Sequence, residues 1–94
     1  MSTEDILAER QKTHGPFSSH ALISQQLKST VRANIGDYGA ALSFAQKEAL
    51  EMIMHKVARI LNGNANHKDH WDDIAGYATL VSRELADNTP VSFT

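Results

Sequence analysis

The sequence predicts an all-α fold, a small bundle of about four helices completed by oligomerisation, and three observations carry that expectation. Apolar residues recur three and four apart through most of the chain, the period of a helix with one buried stripe. No segment shows the alternation of a half-buried strand. Turn-forming residues gather at His14-Gly15-Pro16, Gly36-Asp37-Tyr38-Gly39 and Gly63-Asn64-Ala65-Asn66, and these breaks divide the chain into helical lengths.

In the first length, Ser2 or Thr3 is placed to cap a helix whose first turn holds Glu4 and Asp5, where the helix dipole favours acids. It runs to about Thr13, and Gly15-Pro16 stops it. Its only apolar residues are Ile6, Leu7 and Ala8, so it is stable only when docked on its own domain or on another chain. A second helix begins at Ser18 or Ser19, carries Leu22, Ile23, Leu27, Val31 and Ala33 on one stripe, and ends near Asn34. Residues 35–42 follow as a turn.

The third helix is expected over residues 43–62. Ser43-Phe44-Ala45-Gln46 fits the capping-box pattern S-x-x-Q, and Gly63 fits the left-handed position that closes many helices. Leu50, Met54, Val57, Ala58 and Leu61 form one apolar face and Ala49, Ile53 and Ile60 another, so the helix is buried on more than one side. The fourth helix starts after Asn66, with Asp69 near its N-terminus and Trp71, Ile74, Ala75, Ala78, Val81 and Leu85 as its core stripe. Pro90 prevents its extension. Residues 1–87 are therefore read as one helical domain and 88–94 as a C-terminal tail.

Composition narrows the function. Ninety-four residues make a single domain small enough to gain from burying surface against a second copy. The absence of cysteine removes disulfides, thiolate metal sites and thiol nucleophiles, and fits a reducing cytoplasm. No run approaches the roughly 18 apolar residues of a membrane span, and the acidic, polar N-terminus is unlike a signal peptide. A formal charge of −2 argues against non-specific nucleic-acid binding, which draws its affinity from phosphate neutralisation by clustered cations. A cytoplasmic protein without membrane contact is expected.

The chemistry is concentrated between residues 48 and 85. On a helix turning about 100° per residue, Glu48, Glu51, His55 and Arg59 fall within roughly 80° of arc, with Lys56 further round. The simpler interpretation is a solvated stripe of i,i+3 and i,i+4 pairs. Its two apolar flanks favour a pocket or a subunit contact instead.

Three motifs resemble a known family: Arg10, Lys12, Thr13, His14, Gly15 and Phe17 as R-x-K-T-H-G-x-F, then residues 49–63 as A-L-E-M-I-x-H-K-x-A-R-I-L-x-G, then residues 69–78 as D-H-W-x-D-I-A-G-Y-A. The pattern, over roughly residues 6–85, looks like a small phage and prophage domain family of uncharacterised function. More distantly it is similar to MazG-like all-α nucleoside triphosphate pyrophosphohydrolases, in which E-x-x-E on one helix and E-x-x-D on the next hold Mg²⁺. Glu48-Ala49-Leu50-Glu51 matches the first motif. In the second, the final acid corresponds to Asp73, but its partner is displaced to Asp69, with His70 at the expected position. The resemblance thus implies Glu48, Glu51, Asp69 and Asp73 as a Mg²⁺ site, which the neighbouring His55, Lys56 and Arg59 oppose.

Those cations suit a phosphate. Arg10, Lys12 and His14, aimed by the Gly-Pro stop, extend the same chemistry, although His14-Gly15-Pro16-Phe17 is read more simply as a helix stop with Phe17 in the core. Asp69 and Asp73 are read more simply as N-terminal helix acids. His67 and Lys68 fit an exposed loop, and His67 with His70 gives too few ligands for zinc. Trp71 is expected in the core.

The expected function is binding of a nucleotide or other phosphate-bearing small molecule without turnover, needing no cofactor, through Arg10, Lys12, His14, Phe17, Glu51, His55, Lys56, Arg59 and Asp73, in a homo-oligomer. Phe17 or Tyr38 would contact a base. The phage resemblance implies sequestration of a host immune signalling nucleotide. The alternatives are a Mg²⁺-dependent pyrophosphohydrolase using Glu48, Glu51, Asp69 and Asp73, and a protein-binding inhibitor of a host factor.

Overall fold

The computed structural model describes residues 2–36 and 42–88, and the described residues are helical apart from short connections. Four helices follow in order: α1 (Thr3–His14), α2 (Phe17–Ala33), α3 (Phe44–Asn62) and α4 (Lys68–Asn88). The turn around Tyr38 and the tail beyond α4 lie outside the described residues.

Both N-terminal caps form as their sequences dictate. Ser2 accepts from the Asp5 amide while Asp5 accepts from the Ser2 amide, and Ser43 and Gln46 make the same reciprocal pair. α2 starts at Phe17, one or two residues before the serines expected to cap it. Pro16 stands at its N-cap, and the Pro16 carbonyl accepts from the His20 amide. Gly63 is not left-handed: its φ is −136°, and the only positive φ among the described residues is that of Gly15, 76°.

Gly63 is instead a point of close approach. A Cβ there would collide with the Thr13 carbonyl oxygen and the His14 backbone, and one on Gly15 would collide with the Asn62 carbonyl oxygen. The two glycines let the α1–α2 turn lie directly on the end of α3. Asn62 Nδ2 donates to the carbonyls of His14 and Pro16, both at 2.9 Å, and the Asn64 amide donates to the Thr13 carbonyl at 3.0 Å. The His70 Nε2 group donates to the same Thr13 oxygen at 3.2 Å, because a carbonyl only accepts. This seam fixes where α1 sits.

Helix α3 is the centre of the domain. α2 packs along one side of it and α4 along the other, α1 rests on the ends of α2 and α3, and α2 and α4 do not approach each other. The result is a small all-α bundle that is open on both sides of the central helix. Among the described residues only Ala49 and Ala58 are buried apolar residues, whereas His20, Ser24, Lys56 and His70 are buried polar ones.

Several core expectations therefore need correction. Trp71 is 54% exposed, with its indole nitrogen donating to the Ala65 carbonyl, and Phe17 is 80% exposed. Leu50, Leu61 and Leu85 are also exposed. In α4 the side facing α3 carries His70, Ile74, Tyr77 and Val81, which is about 60° round from the Trp71 stripe. The stripe was misplaced because the polar residues His70 and Tyr77 occupy positions that a hydrophobicity pattern assigns to solvent. No helix among the described residues is long and apolar enough to cross a membrane.

Candidate functional site

A cleft of about 400 Å³ opens where α1, the start of α2 and the second half of α3 meet. α1 contributes Leu7, Arg10, Gln11 and His14, which recur at i, i+3, i+4 and i+7 and so share one face. Gly15 forms the turn, α2 supplies Phe17 and His20, and α3 supplies His55 and Arg59 one helical turn apart.

The lining holds two guanidinium groups and no carboxylate. Arg59 Nε is buried without a hydrogen-bond partner, and so is His20 Nδ1. Burial together with the nearby Arg10 guanidinium holds the Arg59 pKa below its ordinary value, so the two arginines repel each other inside the cleft. An unpaired buried donor and a repulsion from Arg10 that Asp73 offsets only in part are both unfavourable in the free protein, and a ligand bearing negative charge relieves both.

The histidines around the cleft are neutral. Lys28 Nζ lies 3.2 Å from His55 Nδ1, and an ammonium only donates, so Nδ1 accepts and the ring proton sits on Nε2. Burial, then the Lys28 and Arg59 charges, pulls the His55 pKa down to about 4. For His14, burial, then Arg59 and His70, gives about 4, and burial with Arg59 also lowers His20. The His20 and His55 rings meet edge to face at 4.7 Å, and His14 lies 5.1 Å from His70.

Of the residues expected at the site, Arg10, His14, Phe17, His55 and Arg59 are brought together. Lys12 points away on the exposed side of α1, 3.6 Å from Glu9. Glu51 pairs with Arg32 of α2 at 2.7 Å, and Lys56 pairs with Asp73 of α4 at 2.8 Å, so both lie outside the cleft. The Lys56 hydrogen bond holds the Asp73 carboxyl below its usual range. Asp69 lies 3.7 Å from His67, and Lys68 belongs to α4 and pairs with Asp72 at 2.6 Å. Among the described residues no three histidine or acidic side chains converge as a metal-binding group.

Leu7, Gln11, Gly15 and His20 also line the cleft, beyond the residues expected there from the sequence. A signal for His20 was present: His20, Ser24, Lys28 and Arg32 repeat every fourth residue, and this polar line runs antiparallel to Glu51, His55 and Arg59. Ser24 Oγ lies 3.5 Å from His55 Nδ1, between the His20–His55 contact and the Arg32–Glu51 pair. The α2–α3 interface is thus a polar ladder that ends in the cleft.

Fold and cleft together define a class, a small all-α helical domain with a basic cleft whose lining holds no acid. Within that class the chain belongs to the family described as Domain of unknown function (DUF6378), which matches residues 2–85. No curated protein and no solved structure matches it.

Proposed function

We propose that this protein binds a nucleotide or other phosphate-bearing small molecule in the cleft without turning it over, and that it does so as a homo-oligomer. One observation carries the reading: Arg10 and Arg59 face a common cleft lined by no carboxylate, and Arg59 Nε is buried there without a partner. Guanidinium groups match phosphate oxygens in geometry and charge. Phe17, exposed at the rim, offers a face on which a base can stack.

Binding without turnover is favoured over Mg²⁺-dependent pyrophosphate release because Glu51 and Asp73 are engaged by Arg32 and Lys56 and neither lines the cleft. On the resemblance to phage domains, the use we propose is sequestration of a host immune signalling nucleotide in the cytoplasm.

Native mass spectrometry of protein purified from lysate, followed by thermal shift with mono-, di- and cyclic nucleotides, tests the reading. A co-purifying phosphate-bearing mass, or a raised melting point that Arg59→Met abolishes, is the expected result. The absence of both overturns it. Pyrophosphate release from nucleoside triphosphates with Mg²⁺, abolished by Glu51→Gln, would establish the enzymatic alternative.

A further inference from the structure

We propose that the outer face of α4 is a self-complementary docking surface on which a second copy of this chain lays its own α4 antiparallel, about a two-fold axis between Tyr77 and Ala78. This names the partner surface behind the oligomer proposed above, but it stands on different residues from the cleft.

Asp72, Gly76, Thr79 and Arg83 follow one another at spacings of four, three and four, the repeat of a helix–helix seam, and they line a single open depression of about 580 Å³ along α4. Leu80 flanks the seam and is 62% exposed. Gly76 lies within a helix, where glycine is unfavourable by roughly 1 kcal/mol relative to alanine, and close packing is the usual compensation. Among the described residues nothing supplies that packing: the position a Cβ would occupy has no atom within 4 Å. A neighbouring helix approaching the seam would use that space.

Charge fixes who the neighbour is and which way it runs. The acidic end of the seam carries Asp72, and the basic end carries Arg83, about 16 Å away at 1.5 Å rise per residue. In a parallel pair Asp72 would meet Asp72 and Arg83 would meet Arg83, which is repulsive. In an antiparallel pair Asp72 meets Arg83 of the second copy at both ends, while Gly76 faces Thr79 in the middle. Asp72 already accepts from Lys68 and is half-exposed, so it has room for the incoming guanidinium. Ala49 and Ala58 are the only buried apolar residues among the described ones, so the domain has surface left to bury, and this pairing would cover Leu80.

The test is a pair of charge reversals. In sedimentation equilibrium the full-length wild type dimerises, whereas Arg83→Glu and Asp72→Lys each dimerise at least ~10-fold more weakly. Mixed one to one, they form a heterodimer in preference to either homodimer by native mass spectrometry, because the mixture restores both unlike pairs. A wild type that stays monomeric at ~1 mM overturns the proposal, as does a single reversal that dimerises like wild type, or a mixture without heterodimer preference. Nucleotide shifts measured on the same variants keep the outcome separate from the cleft, which neither substitution touches.

Discussion

Lys56 of α3 and Asp73 of α4 form an ion pair at 2.8 Å that is buried at one end and open at the other. The lysine side chain is 11% exposed and the aspartate 48%. The pair ties the central helix to its outer neighbour, and the two residues are partners of each other where a ligand-site reading had made each a contact for phosphate or metal.

Removing the carboxylate therefore strands a buried ammonium. Asp73→Asn is expected to destabilise the protein by about 1–3 kcal/mol, below the full penalty of a buried pair because water reaches the aspartate side. For a domain of this size that is a drop in Tm of roughly 5–15 °C. The loss persists in EDTA, and Lys56→Met combined with Asp73→Asn recovers most of it. A melting point within about 1 °C of wild type for the single variant would show that the pair holds nothing together.

Acid acts on the other side of α3. His14, His20 and His55 have folded-state pKa values below the ordinary 6.5, so the folded protein resists protons that the unfolded chain accepts. Stability is then complete above pH 6.5, falls as pH drops below 6.5, and stops falling for His14 and His55 below about 4, where the folded state is protonated too. Melting temperatures across pH 4 to 7.5 should show this slope, and a His55→Gln variant, which lacks the ring that burial, Lys28, Arg59, His20 and Lys56 keep from protonating, should be less acid-sensitive. A flat profile between pH 6.5 and 4 contradicts the neutral-histidine assignment.

Helix number, the Ser43–Gln46 capping box and a cap at the start of α1 were legible in the sequence because they rest on local rules: S-x-x-Q, acids in the first turn, a Gly-Pro stop. The packing of α4 was not. A hydrophobicity pattern sends His70 to solvent and Trp71 inward, yet His70 is 1% exposed because its ring donates to the Thr13 carbonyl 57 residues earlier, a partner no local pattern reveals. For the candidate cleft, Arg10 and His14 of α1 and His55 and Arg59 of α3 stand out in the sequence because their spacing is helical. Glu51 and Lys56 stand apart from the cleft because adjacent helices supply counter-ions that spacing cannot reveal, Arg32 and Asp73, and Lys12 because it lies on the exposed side of α1 beside Glu9.

Asn62 is a second such long-range partner, and its loss should be structural. Its amide satisfies the carbonyls of His14 and Pro16, where α1 and α2 meet. Asn62→Ala is expected to cost about 1–3 kcal/mol, chiefly by leaving the His14 carbonyl unpaired, since Pro16 keeps the His20 amide and the Ser19 hydroxyl as donors. Gly63→Ala costs more, since its Cβ would strike backbone atoms of the turn. Hydrogen exchange places the damage: amides of α1 exchange faster in Asn62→Ala while those in the middle of α3 change little. Uniform acceleration throughout the chain would mean that the seam is not a local clamp.

Arg59 would separate the proposed binding from stability most sharply, because the group that is unfavourable in the free protein is the one the proposal requires for a phosphate. In the free protein its guanidinium is partly buried beside Arg10, with Nε unpaired, and burial and Arg10 together hold its pKa down. Replacing it by an apolar side chain of similar length removes the repulsion and the unsatisfied donor, so Arg59→Met should melt at the same temperature as wild type or higher without ligand. The same variant should lose at least ~10-fold in affinity for pyrophosphate or a nucleoside phosphate, the expected loss of a charge-assisted bidentate contact. Arg10→Met should weaken binding in the same direction, and Lys12→Met, on the opposite side of α1, should leave it unchanged. Two measurements decide it, a ligand-free melt and a calorimetric titration. If Arg59→Met melts well below wild type, the arginine is held by interactions that offset its burial, and the cleft is not poised for an anion.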